Sequence, residues 1–286
     1  MATFFRGKRG GAISSAIALV IFLALFSIVG SVYLAVGTGN PVNKVTNSLL
    51  SNQTFKVDAG KYFVSKALET ATGDEKKLLT QKGEAISQTV TSILGNPILK
   101  SEVNGIGDIA YHYYTDGNSQ ARTIDVKPLA TLALLGLEAV DPQFSKLQKE
   151  LNKIKPIDLK PQNNNGPSPS TIKSLLSLSA IALFVLSIVF TLLYLLFARS
   201  RSKGLKTLSY IYLGEGIFLF IVQLIAKSIV NSQAQKASES LAREAIPIAA
   251  SSLLASFITL VLVELVFALG FFGASFLKRV DVNGQS

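Results

Sequence analysis

The chain has 286 residues, of which 49% are apolar and only 16% are charged, and its mean hydropathy is +0.40. About 25% of the residues of a soluble globular protein are charged, so this composition argues against a soluble protein. The formal net charge is +10. Much of that excess lies in short segments beside long apolar stretches, which is typical of membrane topology. We therefore expect no nucleic acid among the partners.

The residue types that most enzymes need are scarce. There is no cysteine, which excludes disulfides and thiol nucleophiles. His112 is the only histidine, which excludes HExxH zinc sites and any multi-histidine metal centre. The chain also lacks the GxxxxGK[ST] loop that cradles nucleotide phosphates. We predict a protein that is not an enzyme and that binds no cofactor or metal.

Four apolar stretches are long enough to cross a bilayer as helices, since about 20 residues suffice. The predicted transmembrane helices are residues 12–36, 171–198, 207–230 and 246–277. The first could instead be a cleaved signal peptide. Its apolar run is about 25 residues long, well beyond the ~7–15 of a signal peptide, so we favour an uncleaved anchor.

Basic residues set the expected orientation of these helices, because short cytoplasmic segments are enriched in lysine and arginine. We therefore expect residues 1–11, 199–206 and 278–286 to be cytoplasmic, and residues 37–170 and the hairpin 231–245 to lie outside the cytoplasmic membrane. The loop 199–206 also offers a contact for a cytoplasmic partner through its four cations, Arg199, Arg201, Lys203 and Lys206.

The outside domain, residues 37–170, reads as mostly helical and ends in a polar linker, residues 162–170. Asn96 followed by Pro97 is a helix start signal, and Asp141 with Pro142 repeats it. One earlier segment carries apolar residues at helical spacing, which predicts a buried stripe. The stripe consists of Phe55, Ala59, Tyr62, Phe63 and Ala67.

Two short segments break the helical pattern. "TIDVKP" at 123–128 and "PIDLKP" at 156–161 alternate apolar and charged residues ahead of a proline, which favours extended backbone. Their similarity suggests one two-stranded pairing that closes the intervening helical segment. The alternative is a chance likeness in a lysine-rich chain. The predicted fold class is thus an all-α membrane protein with, at most, this short β pairing.

The sharpest polar feature is a pair of carboxylates inside apolar helices. Glu215 lies about nine residues from Lys206, and Glu264 about fourteen from Lys278, which places them roughly 13 and 21 Å from the cytoplasmic ends. Two antiparallel helices could hold them at similar depth, with Gln223 further along. Because a buried charge costs at least about 2.5 kcal/mol in a membrane, such residues face the helix bundle or stay protonated.

Two interpretations of this candidate intramembrane polar site stay open. Glu215, Glu264 and Gln223 could line a path or ion site. Alternatively, each acid is neutral and bonds across a helix interface, for which Tyr212 and Ser275 are available partners. Small residues four apart predict close helix contacts at two places, Ser27 with Ser31 and Gly270 with Ala274.

The segments "NSLLSNQTFKVDAGKYFV", "GEAISQTVTSILGNPILKSEVNGIGDIAYHYYTDG" and "TIDVKPL" resemble those of four-span bacterial integral membrane proteins with a helical extracytoplasmic domain after the first span. That resemblance implies a layout and no activity. The order of one span, an outside domain and three spans is also similar to that of FtsX/MacB-type membrane subunits.

We therefore expect a non-enzymatic membrane protein whose outside domain binds another membrane or envelope protein, or another envelope component. The alternatives are a transmission or permease-like subunit of an ATPase-linked complex, and a small proton- or ion-linked carrier using Glu215 and Glu264.

Overall fold

The computed structural model describes residues 2–115, 122–159, 169–198 and 200–277. Its first half consists of α1 (Ala2–Val32) continued by a π-helical turn (Tyr33–Gly37), then α2 (Pro41–Ser51), α3 (Gln53–Thr70), α4 (Gly73–Leu94) and α5 (Pro97–Thr115). There follow β1 (Arg122–Ile124), α6 (Lys127–Val140), a 3-10 helix (Pro142–Leu147), α7 (Gln148–Leu151) and β2 (Ile157–Leu159). Three long helices complete the described chain: α8 (Pro169–Phe197), α9 (Arg201–Gln235) and α10 (Ser240–Ala274).

Four helical segments are long and apolar enough to cross a membrane, as the sequence predicted. They are Gly10–Gly37, Ser170–Phe197, Arg201–Gln235 and Ser240–Ala274, with mean hydropathies of 2.7, 2.7, 1.8 and 2.4. Large apolar side chains cover their outer faces; Leu196 is 72% exposed and Val266 69%. Length and composition therefore indicate a multi-pass membrane protein.

The chain divides into two compact units, and the first is a four-helix bundle. It comprises residues 1–37, 174–226 and 254–286, that is α1 with most of α8, α9 and α10. Leu19, Tyr194 and Leu208 form one cluster at its centre, with Phe271 packed against them, so all four helices meet there. Phe22 stacks on Phe190 of α8 at a centroid distance of 5.1 Å.

The second unit is a helical domain made of residues 38–173 and 227–253. Its core cluster joins three helices through Val64 of α3, Ile86 of α4 and Leu137 of α6. The α3–α4 contact is very close, because a Cβ built on Gly60 would lie 2.4 Å from the carbonyl oxygen of Ser87. Only glycine allows the two backbones this approach.

A polar seam joins α2 to α5 in the same domain. Asp108 accepts hydrogen bonds from the amides of Asn40 and Asn43, both at 2.8 Å. One turn along, Asn104 donates to Asn47 at 3.1 Å. Asn40 also caps α2, because its side chain accepts from the backbone N–H groups of the first turn. The seam fixes where the chain restarts as a helix after α1.

The predicted strand pairing forms. β1 and β2 are antiparallel neighbours, with Arg122 opposite Leu159 and Ile124 opposite Ile157. The ladder is shorter than the segments 123–128 and 156–161, because Lys127 already belongs to α6. The linker at 162–170 falls mostly outside the described residues, and α8 begins at Pro169.

The loop between α9 and α10 packs against the helical domain. The described helices leave only residues 236–239 between Gln235 and Ser240, so both helices extend further than the predicted hairpin 231–245 implied. The Tyr62 hydroxyl of α3 donates a hydrogen bond to the Glu239 carboxylate. α10 passes through Pro247 without ending.

Two local predictions were wrong. The buried face of α3 carries Gly60 and Val64, whereas Phe63 of the predicted stripe is 45% exposed. Gly60 turns this face of α3 towards α4, because only a glycine allows the close approach there. The spacing of apolar residues does not indicate such an approach. After Asp141, which does cap its neighbours through a 2.8 Å bond from Gln143 N–H, the chain forms a 3-10 helix before a short α7, where one longer helix was expected.

Candidate functional site

The bundle is built in layers that can be followed from helix to helix. One layer contains Leu23 of α1, Tyr212 of α9 and Ala268 of α10 in mutual contact. Since α10 runs opposite to α1 and α9, one turn further places Ser27 beside Glu215 and Glu264. The layer beyond is marked by the contact of α10 with α1, where a Cβ on Gly30 would lie 3.3 Å from Leu260 Cδ1.

Glu215 and Glu264 meet in the middle of these layers. They are 7% and 2% exposed, and they interact electrostatically with each other. Gly216 lets α9 and α10 come together here, because a Cβ at that position would lie 3.5 Å from Glu264 Cβ. Within the described residues, no ion pair neutralises either carboxylate. The structure thus brings together two of the three residues that the sequence singled out.

Gln223 lies apart from the pair. It is eight residues beyond Glu215 on α9, about 12 Å along the helix axis. Its Oε1 atom is buried and has no hydrogen-bond partner in the described part of the chain. Gln223 therefore extends the polar face of α9 without joining the carboxylate layer.

The two partners proposed for a pure packing role are engaged elsewhere. The Tyr212 hydroxyl lies 3.0 Å from Thr191 Oγ1 of α8, and Ser275 Oγ donates to the carbonyl of Phe272 at 2.6 Å. Among the described residues, Glu215 Oε1 and Glu264 Oε2 have no hydrogen-bond partner. Buried polar atoms are usually hydrogen-bonded, so these two oxygens are exceptions, whereas Ser27 of α1 interacts with Glu215 across a helix interface. The polar site and the packing role therefore both stay predictions.

Sequence reasoning recognised Ser27 and Ser31 only as small residues. Both are fully buried, and Ser27 interacts with the Glu215 carboxylate, although its Oγ has no partner at hydrogen-bond geometry within the described chain. The other small pair behaves differently: Gly270 is exposed and a Cβ there would meet nothing within 4 Å. A four-residue spacing could have found them. Every fourth residue from Ser15 to Ala35, in α1 and the π-helical turn after it, is buried, and Ser27 and Ser31 belong to this series.

Most of the predicted loop 199–206 is helical, because α9 begins at Arg201, and its basic residues are only partly in contact with the bundle. Arg201 and Lys203 are exposed at the start of α9. Lys206 is half-buried, with its Nζ 5.0 Å from the ring centroid of Phe276. Arg199 lies outside the described residues. These exposed cations do not define a site, and a contact with a cytoplasmic partner through them stays a prediction.

A second feature, in the helical domain, was not predicted. A cavity of about 460 Å³ opens between α3, α4, α6 and the 3-10 helix. Its lining is mostly apolar and includes Phe63, Leu78, Leu79, Phe144 and Leu147. Phe63 and Leu147 are each 45% exposed. We call this feature the apolar groove. Residues of the 3-10 helix, among them Phe144 and Leu147, form one wall of it.

Comparison with protein-family models, curated proteins and solved structures finds no match to this chain.

Proposed function

We propose that this chain is a non-enzymatic membrane protein whose helical domain lies outside the cytoplasmic membrane and binds a partner envelope protein through the apolar groove. The apolar groove is the observation on which this proposal rests. Its volume is in the range of pockets that hold specific ligands, about 300–1,000 Å³. Exposed aromatic and aliphatic side chains at one place are typical of interaction sites.

The orientation follows from charge. The segment 199–206, most of which forms the start of α9, is short and basic, which favours the cytoplasmic side for it and for both ends of the chain. The segment 227–253 then emerges on the opposite side, and it clusters with residues 38–173 in one unit. This grouping supports a single extracytoplasmic location for both.

The groove favours an apolar segment of protein over a polysaccharide. Its walls offer few hydrogen-bonding groups for sugars, and its charged residues, Asp74 and Lys146, are among the few polar members of the lining. A partner helix or loop that inserts two or three apolar side chains between Phe63 and Leu147 would cover them and exclude water.

Site-specific photocrosslinking in native membranes tests this proposal. A photoreactive residue at Leu147 should yield a discrete protein adduct. The matched control is Leu135, which is 58% exposed on α6 and outside the groove, and it should yield none. Leu147→Asp should remove a partner that co-purifies, whereas Leu135→Asp should not. Equal adducts at both positions, or adducts with lipid alone, would refute a protein partner at the groove.

The carboxylate layer favours a second function, ion-linked transport through the four-helix bundle. Ionisable residues inside membrane helices are rare and often mark ion pathways or proton relays. Purified protein in liposomes should carry a cation or proton flux that Glu215→Gln and Glu264→Gln each abolish. The absence of flux in the wild-type protein would reject transport. A subunit role beside an ATPase stays a prediction from the order of spans and the basic residues of the segment 199–206.

A further inference from the structure

Several buried hydroxyl groups of the bundle differ in whether they bond to their own helix backbone. Ser15 donates to the carbonyl of Gly11 at 2.7 Å, and Ser187 and Thr191 likewise donate to the carbonyl one turn before them, both at 2.8 Å. That is the ordinary arrangement for a hydroxyl on a membrane helix. Ser27 and Ser31 are 0% exposed and make no such bond among the described residues. Neither oxygen is therefore bound to the backbone of its own helix.

The two serines without a backbone bond lie in the part of the bundle that holds the buried carboxylates. Ser27 lies in the layer of Glu215 and interacts with it, and Glu215 in turn interacts with Glu264. Ser31 is one turn further on the same face of α1. Three helices thus contribute oxygen atoms to one water-excluded place, and four of those oxygens lack a hydrogen bond in the described structure. Among the described residues, Tyr212 is the other titratable group that interacts with Glu264.

We infer that Ser27, Glu215 and Glu264 form a binding site for a single Na⁺ ion in the bundle, with Ser31 at its edge. The inference deepens the transport function proposed above and concerns the same two glutamates. All the donors are hard oxygens, which excludes the softer metals that prefer nitrogen or sulfur. A bound Na⁺ would satisfy carboxylate and hydroxyl oxygens together.

Charge balance selects a monovalent ion. Two neighbouring carboxylates in a medium of low dielectric constant do not both stay ionised, so one proton remains on the pair. One Na⁺ then neutralises the remaining charge. A divalent ion would leave this layer with a net positive charge, and Ca²⁺ and Mg²⁺ also need six or more ligands, several of which Mg²⁺ keeps as waters.

Equilibrium binding of radioactive Na⁺ to the purified full-length protein in detergent tests the site. The wild type should bind a single ion. Ser27→Ala should weaken binding by about 10- to 100-fold, the usual effect of losing one oxygen that contacts a charged group. Ser27→Thr keeps the hydroxyl and should restore binding. Glu264→Gln should abolish it, with folding of each variant checked by size-exclusion chromatography.

Ser15→Ala is the matched control. It removes a buried hydroxyl from the same helix, but one already bonded to its own backbone. Binding unchanged by Ser15→Ala and weakened by Ser27→Ala supports the site. No Na⁺ binding by the wild type, or equal losses in both variants, would overturn it.

Carbodiimide labelling separates Na⁺ from protons, because the reagent modifies protonated carboxyl groups in apolar surroundings. Added Na⁺ should protect Glu264 from labelling, whereas K⁺ at equal ionic strength should protect less. Labelling that ignores Na⁺ would mean a proton-only pair and would overturn the inference. Since binding is measured without a membrane potential, Na⁺ binding with no flux in liposomes would reject transport and leave the site standing.

Discussion

Gly60→Ala should loosen the contact between α3 and α4. The new Cβ would lie 2.4 Å from the backbone oxygen of Ser87 and 2.9 Å from the side-chain oxygens of Ser87 and Thr91. An ordinary contact needs about 3.5 Å, so α3 has to move by about 1 Å. Overpacking of this kind costs about 1–3 kcal/mol. The better helix propensity of alanine returns about 0.5–1 kcal/mol. The net loss is about 1–2 kcal/mol.

Hydrogen exchange of the full-length protein, followed by mass spectrometry, measures this loss locally. Amides of α3 and α4 should exchange about 5- to 30-fold faster in Gly60→Ala. Gly105→Ala is the control, because Gly105 is an exposed helical glycine of α5 with nothing within 4 Å of a new Cβ. That variant should slow exchange in α5 by up to about fivefold. Slower exchange in both variants would refute the close approach at Gly60.

Three other predictions concern the helical domain. Lys82 Nζ, 2.5 Å from the Asp141 carboxylate, together with the Gln143 N–H, holds the pKa of Asp141 below its ordinary value. That contribution to stability is complete above the unfolded pKa of about 4 and is lost as pH falls through the folded pKa, so Lys82→Met should flatten the acid side of the melting-temperature profile. The hydrogen bond to Glu239 raises the pKa of Tyr62, so Tyr62→Phe should remove one late-ionising tyrosine from an alkaline absorbance titration and speed exchange at residues 236–243. Ile124 is 7% exposed and its strand neighbour Ile157 is 52% exposed. Ile124→Ala should therefore destabilise the domain by about 2–4 kcal/mol, and Ile157→Ala by much less. Hydrogen exchange of the α6 amides measures both losses, and equal effects would contradict the burial of Ile124.

The membrane helices could be predicted because they depend on composition over twenty residues, a signal that no local contact overrides. The strand pair was also predictable, since two similar short segments each ended at a proline. The meeting of Glu215 with Glu264 followed from their distances to the basic helix ends. These features share one property: each can be read from spacing along the chain.

The remaining features depend on contacts that spacing does not determine. Ser27 looked like a packing residue, and only the layer in which α1, α9 and α10 meet reveals its oxygen beside Glu215. The apolar groove depends on a 3-10 turn after Asp141, which has the same start signal as an α-helix. The inward face of α3 was set by Gly60, whose importance lies in the missing side chain.

The polar layer also has a consequence for how the protein is made. α9 is the least apolar of the four spans, with a mean hydropathy of 1.8, and it carries Glu215 and Gln223. A single mid-membrane charge adds at least about 2.5 kcal/mol to the free energy of insertion. Alone in lipid, α9 would therefore be a poor anchor, and Glu264 raises the free energy of insertion of α10 in the same way. We therefore expect α9 and α10 to leave the translocon together as a hairpin, so that Glu215 and Glu264 enter the membrane as a pair. The hairpin then packs against α1, which is inserted earlier.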